Sequence, residues 1–296
     1  MAVVIQEGGA NMTHYLENKA QSLLKGKAAL ENDLRNALKY KELSLDYQPI
    51  WDVNSGTILG FEALIRWAHP TYGFIAPTTF IPIAEESGLI TQLGHFALQT
   101  ACAQVTAWNK QFGADFYISV NLSAKQMEDS TFTETVIDIL RNTNLRPNLL
   151  ELELTEGIAF EMNSKMVEDL HRLHEIGVRL AIDDFGTGYS SWQYLSYFPI
   201  DTVKIDRSFI QTMLYNSKQD IIVTSMIELA AKLHLNCIAE GVEQYLEVAF
   251  LRERGCGIIQ GFHYSKPLSV PKCELYIRSQ YSKKKSAIHR FSNETL

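Results

Sequence analysis

The chain has 296 residues, 46% of them hydrophobic, and a formal net charge of −7. That length holds one large α/β barrel or two ordinary domains around a substantial core, while the acidic balance excludes a DNA or RNA duplex, or a membrane surface, held through a broad basic face. Cys102, Cys237, Cys256 and Cys273 show no CxxC pairing, so neither a zinc site nor a disulfide framework is predicted.

The opening "MAVVIQEGG" has no basic n-region and too short an apolar stretch for a signal peptide. A cytoplasmic protein is the expectation, and a membrane-anchored parent protein stays compatible with it. Residues 1–41 are rich in helix formers, with Leu16, Ala20, Leu23, Lys27, Leu30, Leu34 and Ala37 at a heptad-like spacing that one lysine interrupts. The pattern fits a helix packed on the following domain and fits a short dimerising or signalling helix equally well. A homodimer and an upstream regulatory domain both stay open.

Across 42–281 the pattern changes to short strand-like runs: "LSLDYQPIW" (43–51), "LGFEALIRW" (59–67), "FYISVNLS" (116–123), "LLELELTE" (149–156), "RLAIDDFG" (179–186), "TVKIDRS" (202–208), "NCIAEGVE" (236–243) and "GIIQGFH" (257–263). Amphipathic helical runs fall near 92–112, 127–142, 162–176, 217–234 and 244–254. Residues 88–109 lack charge, yet their repeated glutamines and apolar residues at helical spacing describe an ordinary amphipathic helix, so no membrane contact is predicted. Eight strands with helices between them in ~250 residues match a (β/α)₈ barrel. Only "DVNSGTI" separates the first two strands, too short for a parallel crossover, and Asn54-Ser55-Gly56 reads as a hairpin turn. The expected fold is therefore α/β, a modified TIM barrel with an antiparallel first strand, preceded by an N-terminal helix. The segment 282–296, with Lys283–Lys285 and Arg290, reads as a solvated, disordered tail.

Glu62, Asn121, Glu153, Asp183, Lys204, Glu240 and Gln260 each interrupt an apolar strand, mostly near its C-terminal end. In a barrel enzyme that end is the catalytic face. Four carboxylates brought together repel one another unless protons or cations intervene, and an all-oxygen set selects hard ions such as Mg²⁺ or Mn²⁺. Strand parity separates the neighbours in "DDFGTG": with Asp183 inward, Asp184 reaches the mouth only where the strand ends, a change of direction that Gly186 and Gly188 permit. Two metals ~4 Å apart would turn the repulsion into coordination. An Asx-type turn closing the loop is the plainer reading of the same residues. Lys204 and Asp206 share a face by period two, and the lysine either balances charge or stabilises a developing oxyanion. Glu151 shares the face of Glu153 with its surroundings undetermined, and Glu156 falls past the strand end, close to the "DDFGTG" loop.

Two other matches fail on context. "DFG" lacks the other protein-kinase motifs, and "GTG" lacks dinucleotide-fold spacing.

Together the motifs resemble the EAL domain, the bacterial phosphodiesterase family that hydrolyses cyclic di-GMP. "YQPI" stands at 47, "EALIRW" at 62, "SVNLS" at 119, "ELTE" at 153, "DDFGTGYSS" at 183, "KIDRSF" at 204, "EGVE" at 240 and "QGF" at 260. The resemblance implies two ions of Mg²⁺ or Mn²⁺, one held by Glu62, Asn121, Glu153 and Asp183, the other by Asp183, Asp184 and Glu240 directly or through water. It implies that Lys204 positions the nucleophilic water, that Arg66 contacts a substrate phosphate, and that Gln48 and Gln260 hold substrate or order the site. Glu156 corresponds to the glutamate that steadies the Asp184 loop, with Glu243 and Asp206 as outer supports. The implied reaction is hydrolysis of cyclic di-GMP to linear pGpG. A catalytically silent cyclic di-GMP receptor is the alternative, and a Mg²⁺-dependent barrel enzyme using Lys204 as a base is a more distant one.

Overall fold

The computed structural model describes residues 26–188, 195 and 197–280. Leu16, Ala20 and Leu23 of the expected helix, and the 282–296 tail, fall outside them. The described residues form nine strands: β1 (Leu43–Asp52), β2 (Thr57–His69), β3 (Gly73–Ile75), β4 (Tyr117–Asn121), β5 (Leu150–Thr155), β6 (Arg179–Phe185), β7 (Thr202–Ile205), β8 (Asn236–Ala239) and β9 (Ile258–Ile259). The sheet runs β1-β9-β8-β7-β6-β5-β4-β2-β3, and β1 also pairs with β2, so eight strands close into a barrel with β3 attached to β2. β1 is antiparallel to β9, while β2 and β4 to β9 pair in parallel, as the short "DVNSGTI" connection requires.

The chain divides into two compact units. In the first, residues up to 44 together with 66–93, helix α1 (26–37) buries Leu34 and Ala37. Lys27, which interrupts the heptad pattern, is exposed and ion-paired with Glu86. His69 Nδ1 accepts the backbone N–H groups of Thr71 and Tyr72, which puts the ring proton on Nε2, 3.2 Å from Asp33 Oδ2. Strand β3 and helix α2 (Pro77–Ser87) belong here, and both lie outside the predicted elements. Three residues are too short a strand for a period to show. In α2, Pro77 at the start and Pro82 inside break the helical pattern.

The second unit, residues 45–65 and 94 onward, contains most of the barrel. The expected helix at 92–112 is α3 (Ile90–Phe112). The run at 127–142 divides into α4 (Ala124–Met127) and α5 (Phe132–Thr143), because Asp129 Oδ1 accepts both the backbone N–H and the hydroxyl of Thr131 and turns the chain between them. Helices α6 (Glu156–Glu161), α7 (Ser164–Glu175), α8 (Arg207–Ile210), α9 (Ser217–Lys232), α10 (Tyr245–Glu253) and α11 (270–280) complete it.

Strand β5, "LELELT", shows how sequence period becomes architecture. Leu150, Leu152 and Leu154 are fully buried in one apolar cluster with Val136 and Ile139 of α5 and Leu170 and Leu173 of α7. Glu151 and Glu153, on the opposite face by strand geometry, are buried inside the barrel at 1% exposure each. Both faces are therefore closed to water, as in a parallel sheet, but the inner face is acidic. Among the described residues no helix is long and apolar enough to cross a membrane.

Candidate metal centre and active site

Strands β2, β4, β5, β6 and β7, with the residues just past β8 and β9, all deliver polar side chains to the same end of the barrel. Lys204 is at the centre, its side chain almost wholly closed to solvent. Its Nζ lies 2.7 Å from Glu153 Oε1, 2.7 Å from Glu240 Oε1, 3.2 Å from Asp183 Oδ1 and 3.9 Å from Glu62 Oε2. Asn121 Nδ2 donates to Glu62 Oε1 at 2.8 Å, and Gln260 Nε2 donates to Glu62 Oε2 at 2.6 Å and to Gln48 Oε1 at 3.2 Å. Gln48 in turn donates to the Ser265 carbonyl at 3.3 Å. Six expected strand residues thus converge around Lys204, and Gln48 joins them.

One ammonium cannot balance this many carboxylates. Burial alone would lower the Lys204 pKa, but Asp183, Glu153, Glu240 and Glu62 reverse that and hold it well above the ordinary lysine range. Burial raises Glu153 well above the carboxylate range, with Lys204 opposing and Glu62, Asp183 and Glu240 adding to the rise. Glu240 is pushed up to about 8, chiefly by burial, against the pull of Lys204. Asp184 is also raised, by burial and then by Asp183. Carboxylates raised in this way favour either a proton or a divalent cation.

Asp183, Asp184 and Glu240 each offer an oxygen within 4.8 Å of the others. Parity alone would turn Asp184 away from Asp183. The structure differs from the expectation in how this is overcome: the β6–β7 register slips between Ile182 and Phe185, and Asp184 itself takes a left-handed backbone, φ 54°, while still inside the strand. A short polar side chain tolerates that conformation where a branched one does not. The glycines act one step later. Gly186 continues the turn at φ 97°, and the N–H groups of Gly186 and Gly188 both donate to Glu156 Oε2, at 3.1 and 3.0 Å. A Cβ on Gly188 would stand 3.0 Å from Glu156 Cδ, so its bareness lets the carboxylate approach. Glu156, buried at 3%, is the first residue of α6.

Other residues lie outside this cluster. β7 ends at Ile205, so Asp206 does not share a strand face with Lys204; it caps α8, accepting the Ser208 N–H at 3.0 Å and the Ser208 hydroxyl at 2.5 Å. Glu243 is exposed beyond β8, its backbone N–H donating to Glu247 Oε2. Arg66 lies on β2, within the first unit and partly exposed. Glu151, undetermined from sequence, accepts the Thr202 hydroxyl at 2.8 Å and faces Arg179 Nε at 3.8 Å. Ser119 was not among the expected site residues. Its hydroxyl is 2.6 Å from Glu153 Oε1, and the available signal was its period-two spacing from Asn121 within "SVNLS".

The residues fit hard divalent cations. The donors are oxygens, Lys204 leaves negative charge unbalanced, and Glu153 Oε2 is buried with no hydrogen-bond partner among the described residues.

The EAL domain family model matches residues 31–267. The chain is 38% identical over 263 residues to the bifunctional diguanylate cyclase/cyclic di-GMP phosphodiesterase MucR of Pseudomonas aeruginosa, covering 89% of this chain and 38% of that protein. It is 39% identical over 250 residues to the cyclic di-GMP phosphodiesterase NbdA of the same organism, covering 84% of this chain and 32% of that protein. The chain thus spans well under half the length of these relatives. Among solved structures, the PaMucR phosphodiesterase in complex with c-di-GMP superimposes with a TM-score of 0.78 at 40% identity, over 82% of this chain and 98% of that one. The EAL enzyme Bd1971 in its cAMP-bound form gives 0.82 at 33% identity, over 90% and 74%.

Proposed function

The chain belongs to the EAL domain family, and on that premise we propose that it hydrolyses cyclic di-GMP to linear pGpG with the help of two divalent cations, Mg²⁺ or Mn²⁺. The observation that carries this reading is the convergence of Glu62, Glu153, Asp183 and Glu240 on Lys204, with Asp184 turned to join Asp183 and Glu240. Glu62, Asn121, Glu153 and Asp183 would hold one cation; Asp183, Asp184 and Glu240 would hold the other. When bound, the cations supply positive charge that offsets the phosphodiester and acidifies a water.

The chain's own groups do the remaining work. Lys204, kept protonated by its acidic surroundings, donates hydrogen bonds toward the attacking water and the charge developing on phosphorus oxygens. Gln260 and Asn121 orient Glu62 by donating to its two oxygens. Glu156 anchors the segment that follows Asp184 through Gly186 and Gly188, and Gln48 and Gln260 form the adjoining polar wall. Arg66, as a contact for a substrate phosphate, rests on its motif alone.

The test is turnover of cyclic di-GMP by the purified chain with and without Mg²⁺ or Mn²⁺, resolving pGpG from GMP. Metal-dependent appearance of pGpG is expected. Tight nucleotide binding without product would favour a silent receptor.

A further inference from the structure

Glu153 is held asymmetrically. Its Oε1 faces the Lys204 ammonium at 2.7 Å and accepts the Ser119 hydroxyl at 2.6 Å, while Oε2 is buried without a hydrogen-bond partner among the described residues. A carboxylate is symmetric about its terminal bond, so nothing in glutamate itself distinguishes the oxygens. An ammonium and a hydroxyl on one side do.

We propose that Ser119, fully buried in β4, is a positioning residue: its hydroxyl fixes which oxygen of Glu153 remains free for a cation. Ser119 has one proton and two acidic neighbours, for Glu151 Oε1 also lies 3.4 Å away. The other oxygen of Glu151, Oε2, accepts the Thr202 hydroxyl at 2.8 Å and faces Arg179 Nε at 3.8 Å. Distance assigns the Ser119 proton to Glu153, whose Oε1 is nearer by 2.6 against 3.4 Å. The strand register supports the arrangement, with Ser119 opposite Glu151 and Asn121 opposite Glu153, one polar layer directly beneath the other. The lower layer orients the upper one. This role rests on Glu153 being a cation ligand, the reading argued above.

The experiment is titration of the full chain with Mn²⁺, free and bound ion being resolved by electron paramagnetic resonance, for wild type, Ser119→Ala and Ser119→Cys. Loss of an outer partner of a ligand weakens metal binding roughly 10-fold or more. The alanine variant is expected to show about that loss, with kcat lowered and the KM for cyclic di-GMP within about two-fold of wild type. The cysteine variant keeps a weak donor and should fall between the two. Wild-type Mn²⁺ affinity in Ser119→Ala, or in Ser119→Cys if alanine prevents folding, overturns the proposal. If wild type binds Mn²⁺ yet leaves cyclic di-GMP intact, the phosphodiesterase reading fails, while the comparison of Mn²⁺ affinities still decides the role of Ser119.

Discussion

Lys204 Nζ and Glu240 Oε1 lie 2.7 Å apart, joining the middle of β7 to the residue just past β8 at the most crowded point of the acidic cluster. Lys204→Met removes the one ammonium among four carboxylates. Breaking a buried charge cluster by removing one partner costs roughly 3–5 kcal/mol. Here the carboxylates can take up protons instead, so the loss should sit at the low end at pH 6 and grow toward pH 8. Chemical denaturation at the two pH values checks this, and the variant's turnover should fall at least about 10²-fold.

Glu62→Ala is expected to abolish turnover with the fold retained. Glu62 is held by Asn121 and Gln260, so its removal frees both amides along with the carboxylate. A circular dichroism spectrum matching wild type together with near-native hydrolysis would remove Glu62 from the site.

Glu156→Gln keeps the side chain's size but offers Gly186 and Gly188 a neutral acceptor in place of a carboxylate oxygen. The loop should loosen without unfolding the barrel. The expected signature is a rise in the Mn²⁺ concentration for half-maximal activity, with the rate at saturating metal reduced less. Identical metal curves for variant and wild type would argue against the anchoring role.

Asp184 separates conformation from charge. Asp184→Asn tolerates the left-handed backbone and should fold normally while losing second-cation binding. Asp184→Val adds a β-branched side chain at φ 54°, with a strain cost of about 1–3 kcal/mol. Thermal unfolding should therefore rank wild type and asparagine together above valine, with both variants deficient in turnover.

The raised carboxylates predict a pH dependence in chelator. Glu153, Glu240 and Asp184 bind protons more tightly folded than unfolded, so the native chain carries more protons above the ordinary carboxylate pKa of ~4.3. Stability therefore falls as pH rises from there to about 8, where Glu240 titrates. Unfolding midpoints in chelator should drop across this window. Saturating Mn²⁺ should remove most of the slope, and a flat curve in chelator would contradict the shifts.

Strand period and connection length determine much of this protein locally. The alternation in "LELELT" places Glu151 and Glu153 on one face, and "DVNSGTI" is too short for anything but a hairpin; both are local consequences of a 2.0-residue repeat and of chain reach. The same repeat marked the polar residues at the strand ends, because a charged group inside an apolar strand needs a reason. What alternation cannot carry is distance between strands. The meeting of Lys204 with four carboxylates from four other parts of the barrel depends on closure and register. So do the pairing of Glu151 with Thr202 and the hold of Ser119 on Glu153. Asp184 shows the limit most plainly: by sequence it points away from Asp183, and only a register slip with a left-handed backbone, stabilised by the surrounding fold, turns it toward Glu240. Local physics chose the residues and their faces, and barrel closure chose their partners, since electrostatic contacts depend on separations that no single strand contains.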